Sequence, residues 1–266
     1  MTDRPIGVFD SGLGGLTVLR ALIDLLPHEP VVYFGDTGRF PYGPKPGDEV
    51  LKYALEIGDV LADHGAKLLV VACNSAASVA LDALRARHDI PVIGVIEPGL
   101  RGAVRVSRSG RVGVIGTVGT IASGAYQRAA DATGADVALT CAACPGFVEF
   151  VEAGDVGSDQ VHVLAERLLA PVRDAGVDTL VLGCTHYPLL ARTISDVMGR
   201  DVVLVSSADE IAFEVRDLLT LEQSEPTRPA GGRHTFLTSG DVETFQRLGE
   251  RFLGPEVATV QRWEWP

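Results

Sequence analysis

Apolar residues along this chain alternate between two rhythms. Short continuous runs, Ile6-Gly7-Val8-Phe9, Val31-Val32-Tyr33-Phe34, Leu68 to Ala72 and Pro91-Val92-Ile93-Gly94-Val95, read as buried strands. Between them Leu16, Leu19, Leu22, Ile23 and Leu26, then Val50 to about His64, then Ala76, Val79, Ala80 and Leu84 recur at helical spacing. Strand and helix in repetition predict an α/β fold of mostly parallel sheets flanked by helices. One stretch breaks the rhythm: Arg39-Phe40-Pro41-Tyr42-Gly43-Pro44-Lys45-Pro46-Gly47 holds three prolines and two glycines and reads as an irregular wall or lid.

Near Glu97-Pro98-Gly99 the pattern restarts. Arg111-Val112-Gly113-Val114-Ile115-Gly116-Thr117 resembles Pro5-Ile6-Gly7-Val8-Phe9-Asp10-Ser11, with Thr117 in the place of Ser11. Those hydroxyl residues are 106 positions apart, and Cys73 and Cys184, each ending an apolar run, are 111 apart. Similar offsets predict two pseudo-symmetric lobes built on one plan, with a cleft between them. A helix from about Leu189 to Met198, a strand Val202 to Val205 and a helix from about Asp209 to Leu219 follow. Ser224 to Gly232 reads as a surface loop; the tail offers a strand (Thr235 to Thr238), a helix (Val242 to Leu253) and a last strand around Ala258 to Arg262. Too small to be a domain, the tail is expected to pack back, so that residues 1–97 with 209–266 form one lobe and 98–208 the other.

Composition narrows the function. The 266 residues carry a net charge of −12 and 46% apolar residues, enough for a core, but without the clustered cations of a nucleic-acid or anionic-membrane surface. No run reaches the roughly 18 apolar residues of a membrane span, and the N-terminus enters a strand directly, so a cytoplasmic protein with four reduced cysteines is expected.

In parallel sheets ligands bind beyond the carboxyl ends of the strands. Asp10 and Ser11, Asp36, Cys73 and Asn74, Thr117, and Cys184 with Thr185 and His186 stand at those ends. Each of the two cysteines is expected to open a helix, where the macrodipole favours a thiolate. His186 near Cys184 and Asp10 near Cys73 are placed to tune or carry a proton. Cys141 and Cys144 form a lone C-x-x-C, short of ligands for zinc and followed by Pro145-Gly146 rather than a helix; they read as structural. Gly12-Leu13-Gly14 with Asp36 imitates a dinucleotide fingerprint, but Thr17 replaces its third glycine and Asp10 would meet the pyrophosphate. Its free amides suit a carboxylate instead. The three lysines, Lys45, Lys52 and Lys67, are ill placed for a pyridoxal Schiff base, so no cofactor and no metal are expected.

Five stretches taken together resemble the glutamate racemases of the aspartate/glutamate racemase superfamily: Gly7 to Gly15, Gly35-Asp36-Thr37, Pro41-Tyr42-Gly43, Ala72-Cys73-Asn74-Ser75-Ala76 and Gly183-Cys184-Thr185-His186-Tyr187-Pro188-Leu189. The resemblance runs from Ile6 to about Ala212 and implies a cofactor-independent enzyme making D-glutamate for peptidoglycan, with substrate between two α/β lobes. It implies Cys73 and Cys184 as acid/base residues assisted by Asp10 and His186. For glutamate binding it implies Asp10, Ser11, Tyr42, Gly43, Asn74, Ser75, Thr117, Glu152, Thr185 and His186, and it leaves a homodimer open. Ser75 stands where the family commonly has threonine, and Gly146 where a bulkier residue is more usual.

Two thiols on opposite walls suit moving a proton from one face of a carbon to the other. Within the superfamily an aspartate racemase or a malonate-type decarboxylase is the alternative. A binding module without turnover would have no need of two opposed cysteines.

Overall fold

The computed structural model describes residues 4–221, 234–257 and 259–265. The expected Ser224 to Gly232 loop, Met1 to Asp3 and Ala258 lie outside them.

The first half follows the hydrophobic rhythm closely. Strand β1 (Ile6–Asp10) leads to helix α1 (Leu16–Leu25), β2 (Val31–Gly35), α2 (Gly47–Asp63), β3 (Leu68–Val71), α3 (Asn74–Arg87) and β4 (Val92–Gly94). Helix α4 (Ile96–Val106) runs through Glu97-Pro98-Gly99, where the sequence suggests a break. Pro98 is tolerated because it lies in the first turn, where no backbone N–H is needed.

The second half begins with β5 (Arg111–Gly116), the short α5 (Val118–Ala122), α6 (Ala125–Thr133), β6 (Ala138–Ala143), α7 (Phe147–Glu152) and α8 (Asp159–Asp174). Then come β7 (Thr179–Gly183), a 3₁₀ turn (Tyr187–Leu190), α9 (Ala191–Met198), β8 (Val203–Ser206) and α10 (Ser207–Leu221). The single helix expected from Leu189 is therefore a turn followed by a shorter helix. The tail supplies β9 (His234–Thr238), α11 (Val242–Leu253), a second 3₁₀ turn (Gly254–Glu256) and β10 (Val260–Arg262).

Among the described residues all pairings are parallel, in two sheets ordered β10-β9-β2-β1-β3-β4 and β6-β5-β7-β8. The last four strands of the first sheet and the whole of the second have the same order, element for element: β2-β1-β3-β4 and β6-β5-β7-β8. That shared order is the two-lobed plan, and β9 and β10 extend the first sheet beyond β2. Strands β1, β2, β3 and β7 are buried along their whole length. They read as unbroken apolar runs because helices cover both faces. Among the described residues no helix is long and apolar enough to cross a membrane.

At the amino ends of the first sheet, Lys67 Nζ meets Glu29 Oε2 at 2.7 Å, both side chains buried, which places that lysine at the far end from the strand mouths. Core positions should respond as close-packed sites do. Leu69→Ala, in fully buried β3, is expected to cost about 2–5 kcal/mol in urea unfolding followed by far-ultraviolet circular dichroism. Val163→Ala, on the exposed face of α8, should change it by less than about 0.5 kcal/mol.

Candidate active site

The carboxyl ends of the central strands meet across a cleft with about 610 Å³ of atom-free space that opens to solvent. From the first lobe it is lined by Ser11 after β1, by Tyr42 and Gly43 of the irregular loop, and by Cys73, Asn74 and Ser75 where β3 passes into α3. Facing them are Thr117 after β5 and Cys184, Thr185 and His186 after β7. Ten of the residues singled out in the sequence therefore share one cavity. Asp10 and Glu152 do not line it: each acts from behind a residue that does.

Asp10 is wholly buried. Its Oδ1 accepts the Gly12 amide at 2.9 Å, and its Oδ2 accepts the Thr185 hydroxyl at 3.1 Å from the other lobe. Burial raises its pKa above the ordinary carboxylate value, against the charge of His186 and the hydrogen bonds from Gly12, Thr185 and Gly15. Glu152 stands behind the second wall, with Oε1 2.8 Å from His186 Nε2, while His186 Nδ1 lies 3.9 Å from Cys184 Sγ. Burial alone would lower the His186 pKa, but contact with Cys184 and Glu152 and the charges of Cys184 and Asp10 push it up to about 10. The imidazole is therefore a cation held between a carboxylate and a cysteine sulfur.

The two cysteines are not equivalent. Cys73 is the N-cap of α3, as a thiolate-favouring position requires. Nevertheless burial, and then the neighbouring Asp10 charge, push its pKa up to about 12 despite hydrogen bonds from Ala76 and Ser11. At Cys73 desolvation thus opposes the helix terminus and is the larger effect. Cys184 does not open an α-helix: a turn and a 3₁₀ segment separate it from α9. Its positive neighbour is His186, not a macrodipole.

Polar contacts stitch the two walls together. Asn74 Nδ2 donates to the Tyr126 hydroxyl at 2.9 Å. Ser75 Oγ lies 3.0 Å from Thr117 Oγ1, and the Gly119 amide donates to the Gly43 carbonyl at 2.9 Å. The glycine loop takes part differently from expectation. Of Asp10 to Gly15 only Ser11 faces the cleft, and the Gly12 amide is spent on Asp10. Gly14 is required because a Cβ there would run into Thr185 and His186. Asp36 is also not a cleft residue: both its oxygens are committed, to Arg39 and Tyr42 on one side and Ser239 on the other.

Sequence reading missed part of the second wall. Cys144, Pro145, Gly146, Val148 and Glu149 also line the cleft, as do Val118 and, from the irregular loop, Phe40, Pro41 and Pro44; Cys144 is a buried thiol at the end of β6, its pKa raised to about 12 by burial and by the charge of Cys184. Its only signal was the C-x-x-C, whose other member, Cys141, receives a contact from Gln127 Nε2 and lies outside the cleft. No group of three His, Cys, Asp or Glu side chains among the described residues is arranged to hold a metal.

The His186 shift carries a pH signature. A pKa raised from about 6.5 in the unfolded chain to about 10 in the fold stabilises fully below about pH 6.5, and that contribution disappears as pH rises through about 10. In urea unfolding across this range, the stability gap between wild type and His186→Gln should narrow with rising pH. A gap that widens would contradict the charged imidazole.

A family model for the Asp/Glu/Hydantoin racemases matches residues 14–213. Glutamate racemase from Acidothermus cellulolyticus is 54% identical, over 98% of this chain and 99% of that one. Among solved structures, glutamate racemase isoform RacE1 from Bacillus anthracis superposes with a TM-score of 0.93 at 40% identity, covering 100% of this chain and 98% of that one. Glutamate racemase from Francisella tularensis in complex with D-glutamate gives a TM-score of 0.93 at 32% identity, covering 99% and 98%. With this fold, this cleft and these relatives, the chain belongs to the Asp/Glu/hydantoin racemase family, among its glutamate racemases.

Proposed function

We propose that the protein interconverts L- and D-glutamate without a cofactor, with Cys73 and Cys184 as the two acid/base residues. The observation that carries this reading is that the two thiols follow equivalent strands, β3 and β7, and line one cleft from opposite lobes. Burial favours the thiol at Cys73, and Cys184 Sγ lies beside the His186 ring. With substrate bound, a thiolate on one wall takes the α-proton. The electron pair stays on the α-carbon, and the opposite thiol delivers its proton to the other face, becoming the thiolate. Substrate of the other hand reverses the roles.

Cleft polarity supports an anionic amino acid. Its described lining contains no lysine or arginine. Carboxylates would be held by the hydroxyls of Ser11, Ser75, Thr117 and Thr185, by Asn74, by the Tyr42-Gly43 backbone and by the amino end of α3, where the helix dipole favours negative charge. Such donors stabilise charge developing on the substrate without taking up the proton themselves. His186, braced by Glu152, stands beside Cys184, and Asp10 holds Thr185 in place across the cleft.

The same reading places the product in peptidoglycan synthesis in the cytoplasm, as the family resemblance implies. It divides the chain into residues 1–97 with 209–266 and residues 98–208, a division supported by the addition of β9 and β10 to the first sheet. A homodimer, open on the same resemblance, is checked by sedimentation velocity.

Purified protein given L-glutamate alone should lose the ellipticity of the amino acid until both enantiomers are equal. Aspartate turned over at the same rate would reassign the substrate. Cys73→Ala and Cys184→Ala should each lower the rate by at least about 100-fold, since one acid/base group cannot serve both faces. In deuterium oxide the product should carry deuterium at the α-carbon from the first turnover. Retained protium would indicate a single base that returns the substrate's own hydrogen.

A further inference from the structure

The irregular loop between β2 and α2 walls the cleft with Phe40, Pro41, Tyr42 and Gly43, yet no strand or helix of its own holds its shape. Its order comes from a chain of side chains that ends in the tail. At the mouth of β2 the buried Asp36 carboxylate binds the loop twice, through Arg39 Nε at 2.7 Å and through the Tyr42 hydroxyl. The tail grips the same carboxylate from the far side: Ser239 Oγ donates to Asp36 Oδ1 at 2.5 Å and accepts the Gly38 amide at 2.9 Å. Arg39 also pairs with Glu56 of α2, and its guanidinium lies between two rings, 4.0 Å from the centre of Tyr53 and 3.7 Å from that of Trp265. Trp265 packs in turn on Phe34 of β2 and on Trp263, whose amide donates to the Thr238 carbonyl at 2.7 Å.

We propose that Trp265 is a positioning residue for racemisation: its indole, stacked on Arg39, holds the loop in the shape that presents Tyr42 and Gly43 to the substrate. The inference rests on the racemase reading and extends it to the tail. A planar, weakly hydrated guanidinium sandwiched between aromatic faces is held in one orientation. With one face bared, Arg39 is free to turn toward water, and Asp36, still bound by Ser239 at Oδ1, loses the cation beside Tyr42 at Oδ2. Gly43, whose carbonyl receives the Gly119 amide from the other lobe, then loses its register on Thr117. The cysteines, which follow β3 and β7, are untouched by this movement, so substrate binding should suffer rather than proton transfer.

Full-length wild type, Trp265→Ala, Trp265→Leu and Trp265→Phe are compared by initial rates of glutamate racemisation. The Ala and Leu variants should raise KM about tenfold with kcat within about twofold of wild type, the pattern of binding lost equally from ground and transition states. The Phe variant, which still covers the guanidinium, should stay within about threefold in KM. Wild-type KM in the Ala and Leu variants overturns the proposal. So does a Leu variant as good as Phe, which would show that the position needs only apolar volume, and so does a loss confined to kcat. If Trp265→Ala does not fold, the Leu and Phe pair still decides. A second measurement is independent of turnover: the chain has two tryptophans, so in Trp263→Phe only Trp265 emits. Arg39→Ala in that background should raise acrylamide quenching of Trp265 as the guanidinium that covers its ring is lost; unchanged quenching overturns the proposal. Wild type inactive on glutamate would refute the racemase reading itself, and is seen before any variant is compared.

Discussion

Thr185 donates its hydroxyl to the buried carboxylate of Asp10 from the opposite lobe, and the cleft depends on that bond. A carboxylate removed from water is costly unless every lone pair is answered. Here the answers come from both halves of the molecule: the Gly12 amide on its own side, Thr185 and the charge of His186 on the other. Satisfying Asp10 therefore brings the mouth of β1 against the mouth of β7. The missing Cβ of Gly14 lets the chain approach closely enough to do so.

From that contact the inequality of the cysteines follows. The side of β7 has a cation, His186, braced by Glu152. The side of β3 has a helix terminus, but also the Asp10 charge and complete burial, and burial is the larger effect. Two sites that match in topology thus differ in charge. The second lobe repeats the strand order of the first without repeating its electrostatics.

Much of this was legible in the sequence because the strands that carry the chemistry are also the most deeply buried. Strands β1, β3 and β7 are unbroken apolar runs, and a polar residue at the end of such a run has nowhere to be but the mouth of a sheet. Strand β6 was not legible: Ala138–Ala143 is half exposed, with small residues and no branched pattern, so Cys144 at its end went unplaced. Helix α4 was hidden by Pro98 and Gly99, which signal a break unless their position in the first turn is known. Asp36 misled in the opposite way. It stands at a strand mouth like the site residues, but three neighbours, one of them some 200 positions away at Ser239, absorb its charge. Spacing along the chain shows which residues reach the edge of a sheet; which are already occupied there is set by contacts distant in sequence.

The bonds that cross the cleft have a consequence for the catalytic cycle as a whole. Asp10 to Thr185, Ser75 to Thr117, Asn74 to Tyr126 and Gly119 to Gly43 all join the lobes beside the groups that hold or move protons. A product that leaves by parting the lobes has to break them, letting water reach Asp10, Cys73 and His186 and returning each toward its ordinary acidity. The same bonds that join the lobes thus also keep water from Asp10, Cys73 and His186.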